Sequence, residues 1–323
     1  MINFLITNPG GDELSQTCIR VKDLVKTYKD LTAVNRISFD VRTGEILGIL
    51  GPNGSGKTTT LKSILGIIEF DEGLIEVNGL SVKDRRKEIL KDMGAILEGA
   101  RNIYWHLSPR ENLTYFAGIR GIPHKAIKEK ATYLLDSLEL SDVADKEIRQ
   151  FSSGMKQKCA LACAFIHDPS ILLLDEPTLG LDVEISRTIR DWLLNVVKEE
   201  GKTIVITSHN MDFVESICDR ILIIRRGEII SHETVESLKK KFARKHFRID
   251  LESEPQGRLL DEIATLGNVS ASGSSIRVEL DSANHLIPLM KILDEAQTTM
   301  LDFHTVENDL EDIFLEVIRE EQQ

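Results

Sequence analysis

The chain has 323 residues, a length for about two domains, and 41% apolar residues, ample for packed cores. Its formal net charge of −12 argues against a protein that coats nucleic acid. No apolar run approaches the roughly 20 residues of a bilayer-spanning helix. Cys18, Cys159, Cys163 and Cys218 form no C-x-x-C pair, which points to a reduced, cytosolic setting without a cysteine metal site.

Residues 1–16 read as a loose leader, broken by Asn8-Pro9-Gly10-Gly11. Their apolar start lacks a charged n-region and is too short for a signal peptide. Residues 18–21 and 37–41 alternate apolar and polar, as half-buried strands do, with Tyr28 just before a turn at Lys29-Asp30. Residues 45–50 are a short apolar run, the signal of a buried strand, and residues 59–67 carry the apolar spacing of a helix. Between them lies Gly51-Pro52-Asn53-Gly54-Ser55-Gly56-Lys57-Thr58-Thr59. It matches G-x-x-x-x-G-K-[ST] in the strand–loop–helix context that this pattern requires. Glycines let backbone N–H groups close on phosphate oxygens. The helix N-terminus adds its dipole and unpaired donors. Lys57 supplies a charge for the β- and γ-phosphates, and Thr58 a hydroxyl for Mg²⁺.

A strand is expected over residues 73–78, closed by Asn78-Gly79. Residues 100–150 change character. Helices over 111–119 and 126–138, with Pro109 at the start and Gly121-Ile122-Pro123 between, read as an insert. Residues 171–176 form a buried strand ending in Asp175 and Glu176. A carboxylate at that strand end, near a phosphate loop, is where Mg²⁺ needs an acid. Glu176 is placed to polarise an attacking water as a general base. Residues 203–207 are another buried strand, leading to Ser208-His209. Residues 221–224 and 228–230 flank Arg225-Arg226-Gly227 as a hairpin. This alternation implies a mostly parallel, helix-covered sheet. A basic connector follows at Lys239-Lys240-Lys241 and Arg244-Lys245. Then come a strand at 247–251, a helix at 257–266, strands at 268–271 and 276–280, a helix at 286–293 and a strand at 300–303. That β-α-β-β-α-β order is the split-βαβ signature of a small α+β domain. An amphipathic helix is expected over 310–318. The expected domains are a leader (1–16), a nucleotide-binding domain (17–238) and an accessory α+β domain (239–323). The last carries no chemical motif and reads as a dimer-stabilising or regulatory module.

Phe151-Ser152-Ser153-Gly154-Met155-Lys156-Gln157, just ahead of the Asp175 strand, resembles the signature loop (LSGGQ) of ATP-binding-cassette (ABC) ATPases. Ser153 stands for the first Gly and Met155 for the Gln, while Ser152 and Gly154 are kept. Leu179-Gly180-Leu181-Asp182 resembles the family's D-loop, His209 its switch histidine, and Tyr28 the aromatic that stacks on adenine. Glu98 stands where the family has the Q-loop glutamine, a departure that puts a carboxylate near the metal. The motifs fall in the family's order over about residues 17–235. Gly99-Ala100-Arg101-Asn102-Ile103-Tyr104-Trp105 and the C-terminal Asp309-Leu310-Glu311-Asp312-Ile313-Phe314-Leu315 are similar to single-cassette drug-resistance and nodulation-factor exporter ATPases.

The resemblance implies a P-loop NTPase ABC cassette, a mostly parallel sheet with an antiparallel β part and a helical insert, and an ATPase with ATP and Mg²⁺ as cofactors. Carried over residue by residue, it makes Glu176, His209 and Lys57 catalytic. It puts Tyr28, Gly51, Pro52, Asn53, Gly54, Ser55, Gly56, Lys57, Thr58, Thr59, Glu98, Ser152, Gly154 and Asp182 on the nucleotide. Thr58, Asp175 and Glu98 fall to the metal. One phosphate loop and one signature per chain imply a second cassette, expected as a homodimer, with Ser152 and Gly154 meeting the partner's ATP. The resemblance further implies a separate transmembrane permease, docked on residues 101–115 with Tyr104 and Trp105 as anchors. The chain would then sit on the cytoplasmic face of the cell membrane. The competing reading is a soluble ABC ATPase acting on nucleic acid or ribosomes. The single cassette and the acidic charge count against it, as the signature counts against a P-loop kinase or GTPase.

Overall fold

The structure is a computed structural model that describes residues 16–97, 102–241, 245–280, 283–296, 298–306, 310 and 314. The chain divides into two compact units, Met1–Glu233 and Thr234–Gln323. The first runs β1 (Thr17–Tyr28), β2 (Leu31–Arg42), β3 (Ile46–Leu50), α1 (Lys57–Ile64), β4 (Glu72–Val77), β5 (Leu80–Ser81), α2 (Val82–Ile89) and β6 (Met93–Ile96). It continues through α3 (Pro109–Ile119), α4 (His124–Ser137), α5 (Ser153–Phe165), β7 (Ile171–Asp175), α6 (Val183–Glu200), β8 (Thr203–Ser208), α7 (Met211–Ile217), β9 (Arg220–Arg225) and β10 (Glu228–Thr234).

β1 and β2 are longer than their alternating patterns predict. They pair along most of their length as one hairpin, with several register shifts that keep the apolar side inward. β4 and β5 extend this antiparallel sheet in the order β2-β1-β4-β5. The second sheet has the order β10-β9-β3-β8-β7-β6 and is parallel from β9 to β6. Every residue of β3, β7 and β8 is buried, which is why these strands read as unbroken apolar runs. Ile19, Leu24 and Val41 of the first sheet share one core with Leu47, Leu173, Val205 and Leu222 of the second and Leu61 of α1. α3 opens with a capping box. Ser108 Oγ accepts the Glu111 N–H at 3.2 Å, and the Glu111 carboxylate accepts the Ser108 N–H at 2.8 Å. β3, β8 and β7 are neighbours in that order, so the loops after residues 50, 175 and 208 leave one edge side by side.

A buried polar knot closes the other end of β3. Arg220 Nη1 donates to Glu45 Oε1 at 3.0 Å and to Asp40 Oδ2 at 3.3 Å, and its Nη2 lies 2.6 Å from His232 Nε2. A guanidinium only donates, so His232 Nε2 accepts and its ring is neutral. Burial, and then the Arg220 charge, hold His232 below the usual histidine range. Burial, and then Arg120, do the same to His167. The unfolded chain binds protons near pH 6.5 that these folded imidazoles refuse. Stability is therefore lost as pH falls below about 6.5, by at most about 1.4 kcal/mol per pH unit for each histidine. A His167→Gln/His232→Gln variant is expected to flatten that acid-side loss in denaturant unfolding between about pH 7 and pH 5. An unchanged slope would rule the two histidines out as its source. Burial pushes the Glu45 carboxyl up, which acts in the opposite sense, but Glu45 is present in both proteins and cancels in the comparison.

The second unit runs α8 (Val235–Lys241), β11 (Lys245–Leu251), α9 (Gly257–Ala264), β12 (Gly267–Ser272), β13 (Ser275–Leu280), α10 (Leu286–Glu295) and β14 (Met300–Val306). Its strands form an antiparallel sheet in the order β12-β13-β11-β14. Phe247, Ile249, Leu251, Ile276, Val278 and Leu280 pack on Leu259 and Ile263 of α9 and Leu289 and Leu293 of α10. The division falls a few residues before the expected 239, because the basic connector helix α8 clusters with this unit. Most of the leader and of the helix expected over 310–318 lie outside the described residues.

Candidate functional site

A cleft of about 760 Å³ opens at the shared edge of β3, β8 and β7. Its walls are Tyr28, the loop residues 53–59, Trp105, Ser153, Lys156, Gln157, Asp175, Glu176, Leu179 and Leu181, with Leu31 and Ala33 of β2. Gly56 turns the loop into α1 with φ +109°, and a Cβ there would sit 2.4 Å from the Ala33 carbonyl oxygen. Only glycine fits that turn. Lys57 is buried and folds back over the loop. Its Nζ donates to the Gly51 carbonyl at 2.7 Å and the Pro52 carbonyl at 3.3 Å. Burial lowers its pKa, while Glu176 and Asp175 pull it up. Ser55 Oγ is buried in the same loop with no hydrogen-bond partner among the described residues.

Asp175 ends β7 at 2% exposure. It accepts the Thr58 hydroxyl at 2.9 Å and a second hydroxyl from Thr207 of β8. Glu176 follows at φ +49°, a left-handed conformation that costs a non-glycine residue on the order of 1 kcal/mol. Its N–H is held by Thr207, at 3.0 Å to the carbonyl and 3.1 Å to the hydroxyl. The kink stops the strand and places the Glu176 side chain on the cleft wall. There Oε2 accepts the His209 backbone N–H at 3.3 Å and lies 2.9 Å from His209 Nδ1. A carboxylate only accepts, so Nδ1 carries the proton. Thr207 thus ties both acids together. In the sequence it is only the β-branched end of a strand, with no signal that singles it out.

Tyr28 is 44% exposed on the rim, with Lys26 Nζ 5.2 Å from its ring centre, and is not a core residue. Ser152 caps α5, accepting the Met155 N–H at 3.2 Å, and Asp182 caps α6, accepting the Ile185 N–H at 2.8 Å. Gly154 has a packing reason to be glycine. A Cβ there would lie 2.1 Å from Ile185 Cδ1, so α5 rests directly on the first turn of α6. From the signature segment the cleft receives Ser153, Lys156 and Gln157. Trp105, expected as a docking anchor, is 48% exposed and also lines this wall, with Lys156 Nζ 4.7 Å from its ring centre. Tyr104 stays on the surface, packed on Tyr115 and Phe116 at ring distances of 4.8 and 6.0 Å. Gln157 Nε2 is buried with no partner among the described residues. Glu98 lies outside the described residues.

The residues present therefore offer two things side by side. One is a loop of backbone donors with a buried ammonium and an orphan hydroxyl, suited to phosphate oxygens. The other is a set of hard oxygens on Thr58 and Asp175, suited to a small divalent cation.

The sequence profile of the family described as ABC transporter matches residues 34–179, which hold the loop and both acids. The ABC transporter ATP-binding protein YhcH of Bacillus subtilis is 31% identical over 309 residues, covering 94% of this chain and 97% of its own length. This chain belongs to the ABC transporter family. Another member, Nod factor export ATP-binding protein I of Burkholderia orbicola, is 37% identical over 228 residues, 69% of this chain and 74% of that one. The ATP-binding cassette MJ0796, solved as a dimer in a post-hydrolysis state with ADP and Pi, aligns with a TM-score of 0.62 at 26% identity. It covers 67% of this chain and 98% of that one. The protein is an ATP-binding, ATP-hydrolysing ABC subunit with the P-loop cassette fold. Among its described residues no helix is long and apolar enough to cross a membrane.

Proposed function

We propose that this ABC cassette binds ATP with Mg²⁺ in the cleft, closes on a second copy of itself around two nucleotides, and drives a separate membrane permease in the export direction. The observation that carries this reading is the Thr58–Asp175 pair, 2.9 Å apart, in one cleft with Lys57 and Glu176. Among the described residues Asp175 hydrogen-bonds only to hydroxyls, so a buried carboxylate has no basic partner in contact. A divalent cation held by Thr58 and Asp175 would balance it. That cation supplies charge neutralisation at the β- and γ-phosphates.

The chain's own groups do the rest. Lys57 would exchange the Gly51 and Pro52 carbonyls for phosphate oxygens, and Ser55 Oγ would gain the partner it lacks. The exposed Tyr28 ring suits the face of adenine. Glu176 would take the proton of the attacking water, with His209 fixing the carboxylate. Ser152 and Gly154 open α5, whose N-terminus would meet the nucleotide of the other copy. Leu179 and Val183, 61% and 79% exposed on either side of Asp182, give that contact an apolar rim. The permease would dock on the exposed Tyr104, Tyr115 and Ile119, which places the protein on the cytoplasmic face of the membrane. Export as the direction rests on the Nod factor export relative.

The test is the hydrolysis rate per chain as the protein is diluted. A paired site predicts a rate that falls on dilution, a Hill coefficient for ATP near about 2, and loss of activity with EDTA. A rate per chain that is independent of concentration, with hyperbolic ATP dependence, would overturn the paired site.

A further inference from the structure

The second unit carries a concavity lined by two arginines for which the nucleotide chemistry has no use. α9 and α10 cover one face of its sheet, and strand alternation puts Arg248, Asp250, Arg277 and Glu279 on the other. The register aligns residues across all four strands. Ser270 of β12 lies opposite Arg277 of β13, Arg277 opposite Arg248 of β11, and Arg248 opposite His304 of β14. The next row is Ser272, Ser275, Asp250 and Asp302.

Like charges directly opposite on a sheet repel, and guanidinium groups do not deprotonate. The acidic row answers only part of this charge. Asp250 takes Arg248 Nε at 3.1 Å, and Asp302 takes His304 Nε2 at 2.9 Å. Arg277 has no hydrogen bond or ion pair among the described residues. Over the two arginines lies a cavity of about 360 Å³, lined by Arg248, Ser270, Ala271, Ser272, Ser275 and Arg277. Two cations are thus set opposite each other, with hydroxyls beside them, Asp250 and Asp302 in the row on one side, and Glu279, which accepts from Asn268 Nδ2 at 3.1 Å, in the row on the other.

We propose that this concavity binds the phosphate group of a small phosphorylated metabolite, clamped between Arg248 and Arg277. The volume is that of a small-molecule site. A carboxylate has two oxygens and is satisfied by one planar guanidinium, whereas a phosphate monoester has three and can take a fork from each side. Ser270 and Ser272 supply further donors. The Asp250–Asp302 row borders the site and repels an extended polyanion or an anionic membrane, which leaves a single discrete charge as the best fit. The site lies wholly within the second unit and does not rest on the reading of the nucleotide cleft.

The experiment uses the full chain with Mg²⁺ and ADP in the cleft, and phosphate that binds beside the ADP is told apart because the signals read belong to Arg248 and Arg277. Inorganic phosphate is titrated while the arginine Nε–H signals are followed by NMR. The expected result is a saturable shift of the Arg248 and Arg277 signals. Arg277→Ala and Arg248→Ala should each weaken binding at least about tenfold, or about 1.4 kcal/mol. Arg277→Lys keeps the charge but loses the fork and should also weaken it. These are surface substitutions, and unchanged melting temperature and ADP affinity establish that the variants are folded. The proposal is overturned by a shift that does not saturate, or that chloride reproduces at equal ionic strength. It is equally overturned if acetate binds more tightly than phosphate, or if phosphatidic acid vesicles bind while free phosphate does not. Undiminished binding in the Arg248→Ala/Arg277→Ala variant would sink it as well.

Discussion

Glu176→Gln is expected to lower ATP turnover about a thousandfold while ATP affinity stays within about twofold, since general-base removal typically costs 10²–10⁴. The amide is nearly the same shape as the carboxylate and still offers an oxygen to His209 Nδ1, which lies 2.9 Å from Glu176 Oε2. The backbone support from Thr207 at 3.0 Å is untouched, so the side chain keeps its place. What is lost is the capacity to take a proton. Single-turnover hydrolysis measures the rate, and gel filtration with Mg²⁺ and ATP measures the consequence. A variant that binds but does not hydrolyse should accumulate as a dimer that dissolves when ATP is removed. A drop in turnover of less than about tenfold would show that some other group takes the proton.

Arg220→Ala should be the most damaging single change for stability, at about 3–5 kcal/mol. Glu45 is 7% exposed and Arg220 is 9% exposed, so truncating the arginine strands a buried carboxylate. Asp40 and His232 lose the same partner. The physical claim is that the loss comes from the orphaned charge rather than from the missing side chain. Arg220→Met combined with Glu45→Gln removes both charges together and should recover most of the stability. Urea midpoints of the two variants decide the matter. A cost for Arg220→Ala below about 1 kcal/mol would mean that Glu45 takes up a proton and is not stranded.

The parts of the site that the sequence displayed are those whose chemistry is contiguous in the chain. The phosphate loop, the acid pair at the end of β7 and the cap of α5 each need only a few neighbouring residues. Their local pattern and their place at a strand or helix end coincide. Strands β3, β7, β8 and β9 of the parallel sheet were legible for a related reason, since strands buried on both faces must be apolar throughout, whereas the four-residue edge strand β6 was not read. The contributions of Thr207, Gly154 and Trp105 were not legible. Thr207 acts across a strand pairing, on Asp175 and Glu176 of β7 and the turn after it, and a register between distant segments leaves no mark at the residue itself. Gly154 reads as a phosphate-approach glycine, yet in the structure its missing Cβ is the space filled by Ile185. The place of Trp105 on the cleft wall was not legible because an aromatic in a polar segment looks the same whether it faces a partner or a cleft. The arginine row of the second unit shows the same limit. Arg248 and Arg277 are ordinary alternating strand residues until the pairing of β11 with β13 sets them opposite each other.

The Gly154–Ile185 contact also has a mechanical side. Ile185 is the residue whose N–H Asp182 caps at 2.8 Å, and the Asp182 carbonyl takes the Ser186 N–H at 3.0 Å, so the start of α6 is fixed to the segment 179–182. The same Ile185 side chain leaves no slack against the backbone of α5, where even one added methyl group would collide at 2.1 Å. A displacement of segment 179–182 would press Ile185 on the backbone of α5, one turn from the helix end that carries Ser152, and the missing Cβ of Gly154 is what lets the two helices sit that close.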